Sequence, residues 1–149
     1  MNTEITSRLA AIFAGHRNQP GALLPILHDI QYALGYVPEE SVPLIAKELN
    51  LSRAEVHGVI TYYHHFRRTP PAKHVVHVCC AEACQANGSE ALAAHAAERL
   101  QGADVTLEPV YCLGLCSVGP NIQIDETELH AQVTPKKFDA LMKKLGEKA

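Results

Sequence analysis

His74-Val75-Val76-His77-Val78-Cys79-Cys80-Ala81-Glu82-Ala83-Cys84 decides how the second half of this chain folds. Positions 74–78 form a β-rich run that gives way to a loop carrying thiols. Beyond it, Ser89 to Leu100 is an alanine-rich helix, and Val105 to Tyr111 alternates like a strand interrupted at Pro109. Asn121 to Ile124 and Leu129 to Val133 read as two strands, and the polar turn Asp125-Glu126-Thr127 between them predicts an antiparallel hairpin. Thr134 can cap a final helix with Pro135 at its first position and Phe138, Leu141, Met142 and Leu145 as its buried stripe.

The resulting order is β-α-β-β-β-α. A helical crossover makes the first two strands parallel, giving a small mixed sheet with helices packed on it, which a thioredoxin-like topology satisfies. Cys79 and Cys84 follow the first strand and Cys112 and Cys116 follow the second, so parallel neighbours bring both loops to one edge.

The first half reads as four helices. Ile5, Leu9, Ile12 and Phe13 recur at helical spacing up to Gly15, with Asn2 or Thr3 as the cap. Leu23, Leu24, Ile26, Leu27, Ile30 and Leu34 form a broad apolar face that stops at Gly35. Pro38 suits the first turn of a third helix with Val42, Ile45 and Leu49 inside, and Glu39 and Glu40 favour its positive end. Ser52-Arg53-Ala54-Glu55 is a capping box opening a fourth helix, which turns Val56, Val59, Ile60 and Tyr63 inward. Thr69-Pro70-Pro71-Ala72 forces an extended connection, so the boundary falls between a four-helix domain at 1–70 and a second domain at 73–149. The fold class is α/β (α+β), a helical bundle followed by a thioredoxin-like domain.

Composition narrows the function. Hydrophobic residues are 47% and charged residues 19%, the balance of a chain that buries a core. Thirteen Lys and Arg against sixteen Asp and Glu give a formal charge of −3, so no global field favours nucleic acid or an acidic membrane. The N-terminus shows no basic segment followed by an apolar run, and no stretch approaches the roughly 20 apolar residues of a span, so the chain reads as cytoplasmic.

Five cysteines in a reducing compartment point to metal or redox chemistry rather than disulfides. A [2Fe-2S] cluster needs four thiolates, two per iron, with each pair close in sequence or held by rigid loops. Cys79-x-x-x-x-Cys84 and Cys112-x-x-x-Cys116 supply such pairs, and the intervening chain has room for the helix and strand that return it to the same edge. Gly114 permits a tight loop with amides turned toward sulfur, Gly119-Pro120 closes that loop, and Gly88 stands in a similar position for the first pair.

Other readings compete. A structural zinc site also takes four thiolates, though usually with C-x-x-C spacing, and core cysteines are the blandest option. No two cysteines are separated by two residues, which disfavours a thioredoxin-type dithiol. Cys79 and Cys80 point to opposite faces at a strand end, so only one of them should reach a cluster. His77 is a candidate neighbour of such a site, whereas His28, His57, His64, His65 and His95 have no ligand spacing. Lys136, Lys137, Lys143, Lys144 and Lys148 read as a solvated helix face.

Gly35-Tyr36-Val37-Pro38-Glu39-Glu40, Val56-His57-Gly58-Val59-Ile60-Thr61-Tyr62-Tyr63 and Cys112-Leu113-Gly114-Leu115-Cys116 together resemble the 24-kDa-type, thioredoxin-like [2Fe-2S] subunit of respiratory complex I. Arg67-Arg68-Thr69-Pro70-Pro71 and Ala81-Glu82-Ala83-Cys84-Gln85-Ala86 look most like the gamma subunit of soluble NAD-dependent formate dehydrogenase. The resemblance implies an electron carrier without a complete active site of its own, holding one [2Fe-2S] cluster through Cys79, Cys84, Cys112 and Cys116. Cys80 stands where the family has a polar or small residue. The implied partners are a beta-type flavoprotein subunit with FMN and NAD and an alpha-type iron–sulfur subunit oxidising formate at a molybdenum cofactor. Complex I and NAD-linked hydrogenases are alternative parents. Neither a G-x-G-x-x-G nor a P-loop pattern occurs, so FMN and NAD are expected in a partner.

Overall fold

The structure, a computed structural model, describes residues 3–147. Its chain divides into two compact units, Met1–Pro71 and Ala72–Ala149.

The first unit contains α1 (Thr3–Gly15), α2 (Leu23–Leu34), α3 (Val42–Leu49) and α4 (Arg53–Tyr62). Leu9, Ile26, Leu27, Ile30, Val37, Ile45, Val56 and Ile60 meet in one buried cluster, as helical periodicity demands. Gly35 ends α2 at φ +82°, and its N–H donates to the Gln31 carbonyl at 2.7 Å. The Ser52 hydroxyl accepts from the Glu55 N–H at 3.2 Å while the Glu55 carboxylate accepts from the Ser52 N–H at 2.8 Å, closing the capping box. The Ser52 N–H and hydroxyl, both donating to the Glu55 carboxyl, hold it below its ordinary range. Buried Gln31 ties the chain beyond α4 back to α2. Its Nε2 donates to the His65 carbonyl and its Oε1 accepts from the Arg67 N–H, both at 2.7 Å.

Three local expectations change here. Pro38 is extended at ψ 137° and precedes a 3-10 turn at Glu39–Ser41, so α3 begins later, with Pro43 rather than Pro38 in its first turn. Thr3 already lies within α1, and the alternative cap Asn2 lies outside the described residues. Tyr63 is 42% exposed and takes an extended conformation as the C-cap of α4, because the helix stops one residue before it could turn inward.

The second unit contains β1 (His74–Cys79), α5 (Glu82–Ala86), α6 (Ser89–Arg99), β2 (Val105–Val110), β3 (Ile122–Ile124), β4 (Glu128–His130) and α7 (Pro135–Glu147). The sheet order is β2-β1-β3-β4. β1 and β2 run parallel with Cys79 opposite Val110, and the other two pairings are antiparallel. Val76, Val78, Ile122 and Ile124 turn one sheet face toward Leu92 and Ala96 of α6 and Phe138 and Met142 of α7. The Thr134 hydroxyl caps α7 by accepting from the Lys137 N–H at 3.2 Å.

The hairpin is shorter than the sequence predicts. β4 ends at His130, because Gln132 has φ +48° and the N–H groups of Gln132 and Val133 turn to the Val118 and Pro120 carbonyls at 2.9 Å instead of extending the ladder. The short helix α5 is unforeseen, since five residues carry too little periodicity to be recognised.

Ser52→Ala should cost about 1 kcal/mol through loss of the cap. Phe138→Ala, which empties the middle of the α7 contact, should cost roughly 3–5 kcal/mol. Urea unfolding followed by circular dichroism measures both.

Candidate metal centre

Both cysteine loops leave the same end of the sheet because β1 and β2 are parallel and in register up to Cys79 and Val110. Cys79 is the last residue of β1, and its N–H donates to the Asn121 carbonyl at 3.0 Å. Cys84 sits on α5, which turns the chain back under the strand end. Both side chains are buried. Cys112 and Cys116 lie on the loop after β2 and are exposed.

The loops meet at the Cys79 sulfur. Burial pushes its thiol up, but N–H groups of Ala81, Cys112 and Leu113 and the Cys84 thiol all donate toward it and hold it below the ordinary thiol range. Donors from the second loop thus reach the first loop's cysteine. Cys84 is pushed up, chiefly by burial and then by its hydrogen bond with Cys79. Cys116 is pushed up, first by its hydrogen bond with Cys112 and then by the charge of that neighbour.

Cys112 and Cys116 have their sulfurs 3.4 Å apart. Two thiolates on one tetrahedral metal at about 2.3 Å stand roughly 3.7 Å apart, a separation close to that of this pair. Cys112 adopts φ +93° and Gly114 φ +77°, conformations that curl the loop and let the Gly114 N–H donate to the Cys112 sulfur at 3.3 Å. Gly119 presses on the other pair. A Cβ there would stand 3.2 Å from the Cys84 sulfur and 3.4 Å from its Cα, so a larger residue would push Cys84 by a few tenths of an ångström.

Cys80 turns elsewhere. Its N–H donates to the Val110 carbonyl at 2.8 Å, and its half-buried thiol faces the Val78 carbonyl at 3.5 Å. Burial, followed by the neighbouring Cys79 charge, pushes this thiol up. His77 is buried on the same sheet face as Cys79, with its Nε2 3.1 Å from the Glu108 carboxylate rather than on a sulfur. Gly88 does not serve sulfur either, since its N–H donates to the Gln85 carbonyl at 2.9 Å. Among the other histidines, His28 packs on His65 and Phe66, and His95 pairs with Asp139 at 2.9 Å.

Asn121 is the residue that sequence reasoning missed. It is 1% exposed, and its side-chain nitrogen lies 2.7 Å from the Leu115 carbonyl and 3.5 Å from the Cys84 sulfur. The only signal was an amide beside the Gly119-Pro120 turn that closes the second loop.

The family model of the thioredoxin-like [2Fe-2S] ferredoxins matches residues 9–146. The chain belongs to this family. It is 32% identical over 138 residues to a subunit of the NADH-quinone oxidoreductase of Escherichia coli (strain K12), covering 87% of this chain and 82% of that one. It is 29% identical over 123 residues to the HndA subunit of the NADP-reducing hydrogenase of Solidesulfovibrio fructosivorans, covering 77% and 71%. A solved NAD+-reducing [NiFe]-hydrogenase in the H2-reduced state shares the fold at a TM-score of 0.68 and 21% identity. That match covers 86% of this chain and 22% of the hydrogenase chain. Family membership agrees with the β-α-β-β-β-α order and with the mixed sheet. Among the described residues, no helix is long and apolar enough to cross a membrane.

Alkylation of the metal-free chain should separate the thiols by exposure. Cys112 and Cys116 should react with iodoacetamide at least about tenfold faster than Cys84 at neutral pH, read by peptide mass spectrometry. Because the Cys84 thiol is raised, its rate should still be climbing at a pH where an ordinary thiol has levelled off.

Proposed function

We propose that this chain is the electron-transfer iron–sulfur subunit of a nicotinamide-linked oxidoreductase and holds one [2Fe-2S] cluster through Cys79, Cys84, Cys112 and Cys116. The observation that carries this reading is the parallel register that ends β1 at Cys79 opposite Val110, so that both cysteine loops leave one sheet edge, where the Asn121 side-chain nitrogen lies 2.7 Å from the Leu115 carbonyl and 3.5 Å from the Cys84 sulfur. When bound, the cluster supplies a site that gains or loses one electron without a bond to substrate. The chain's own part is to bring four sulfurs together, to surround them with N–H donors and to bury one pair while leaving the other exposed.

Two cysteine pairs on two loops, spaced as 79/84 and 112/116 rather than as C-x-x-C, support two irons, each with its own cysteine pair, over the competing reading of a zinc-held assembly module. Cys79 rather than Cys80 is the ligand in this proposal, since the Cys80 thiol is turned to the Val78 carbonyl.

For the parent enzyme we favour soluble NAD-dependent formate dehydrogenase, in which this chain would be the gamma subunit. The support is the pair of segments 67–71 and 81–86. The subunit would then work in the cytoplasm, its cluster domain at 73–149 and its helical domain at 1–70 docked on the flavoprotein with FMN and NAD. Formate would be oxidised at the molybdenum cofactor of the alpha-type subunit. The named relatives belong to an NADH-quinone oxidoreductase and an NADP-reducing hydrogenase, which makes complex I and hydrogenase the rival parents.

Anaerobically purified chain should contain about two iron and two sulfide and show a dithionite-bleachable visible spectrum. One zinc and no colour would overturn the proposal. Cys79→Ser should lose iron while Cys80→Ser retains it. Affinity purification of the tagged subunit from its host should recover a formate-oxidising flavoprotein complex, and recovery of quinone- or hydrogen-linked catalytic subunits instead would reassign the parent.

A further inference from the structure

We propose that the second unit binds a small carboxylate with an apolar tail, in a cavity at the end of the sheet opposite the cysteine loops. The site uses no cysteine, so it stands or falls independently of the cluster reading.

The cavity opens where β1 and β2 begin. His74 and Val105 are the paired first residues of these parallel strands, and the last turns of α6 and α7 reach the same end with Arg99 and Gly146. Leu100, Val105, Met142 and Leu145 give the cavity an apolar floor continuous with the core of this unit. Its volume of about 330 Å³ lies in the range of small-molecule sites. At the volume of a liquid water, it has room for on the order of ten water-sized groups.

His74 supplies an unfilled polar contact. Its Nδ1 lies 2.7 Å from one Asp125 carboxylate oxygen, while the other accepts from the Val75 N–H at 2.9 Å. An ionised carboxylate only accepts, so Nδ1 carries a proton. The two nitrogens of an imidazole point away from each other, and Asp125 stands at the end of β3. Nε2 is therefore directed away from β3, toward the side of β1 on which Val105 and the cavity lie. There Nε2 is buried and has no hydrogen-bond partner among the described residues, an arrangement that costs free energy until a ligand completes it.

Charge selects the ligand. Lys73 and Arg99 line the same cavity against one carboxylate, Asp104, which already accepts from the Lys73 backbone N–H at 3.2 Å. Arg99 shares the Asp139 carboxylate with His95, at 3.6 and 2.9 Å. The Ala96 and Glu98 carbonyls at the end of α6 are taken by the Leu100 and Gln101 N–H groups, so they offer no site for a cation. A ligand carboxylate would accept from Nε2–H of the doubly protonated ring, whose charge Asp125 balances, with Lys73 and Arg99 beside it. Roughly six to eight tail carbons would then cover the apolar floor.

The test is an NMR titration with octanoate of the anaerobically purified full chain, labelled with 13C-methyl methionine. Methionine occurs only at positions 1 and 142, and Met142→Leu assigns the two signals. Octanoate should move the Met142 signal saturably. Octan-1-ol, which lacks the charge, should bind at least about tenfold more weakly, and octylammonium should leave the signal in place. His74→Phe should weaken octanoate binding at least about tenfold. Lys73→Gln, at an exposed side chain, should weaken it about twofold to fivefold. Ala103→Trp, which fills the cavity from the exposed loop after α6, should abolish the shift. A wild-type Met142 signal unmoved at about 10 mM octanoate, weaker than even millimolar affinity, would overturn the proposal. Equal affinity for the alcohol or the amine would do so too, and these wild-type results decide the matter even where a variant fails to fold.

Discussion

The parallel pairing of β1 and β2 is the constraint from which the rest of the site follows. Parallel strands that share a register end together, so Cys79 and Val110 stand side by side and the loops beyond them emerge at one edge. A parallel pair needs a crossover, and α6 supplies it while burying Leu92 and Ala96 against Val76 and Val78. The helix that stabilises the sheet is thus also what returns the second cysteine pair to the first. An antiparallel pairing of the same two strands would send Cys112 and Cys116 to the far end of the sheet.

Local backbone features then refine what topology brings together. Positive φ at Cys112 and Gly114 curls the exposed loop around its own sulfur, and α5 folds the buried loop so that Cys84 lies beneath Cys79. Gly119 leaves room for the Cys84 sulfur, and Asn121 fastens the ends of both loops. The outcome is asymmetric: one pair is buried among donors and the other faces outward. In an electron carrier, such asymmetry leaves one side open to exchange while the protected side resists solvent.

Much of this was legible in the sequence, and the reasons are physical. The β-rich run at 74–78, the alternation in 105–111, the Ala-rich period of 89–100 and the polar turn at 125–127 are local patterns, so they reveal strands, helix and hairpin directly. The shared edge of the two cysteine loops was legible because each loop directly follows one of two parallel strands. Elements set by a few tertiary hydrogen bonds were not. The early end of β4 depends on N–H groups turning to the Val118 and Pro120 carbonyls, and Pro38 gives up the first helical turn to Pro43 because the chain makes a 3-10 turn before α3. Asn121 and Gln31 escaped notice for the same reason, since a buried amide that joins distant segments has no periodicity of its own.

The account stands on each cysteine pair taking one of two metal atoms. Diffraction from anaerobically grown crystals, with anomalous data collected on either side of the iron edge, tests that directly. Two neighbouring iron peaks are predicted, one bonded to the sulfurs of Cys79 and Cys84 and the other to those of Cys112 and Cys116. A single metal atom ringed by all four sulfurs, or a peak bonded to Cys80, would contradict it.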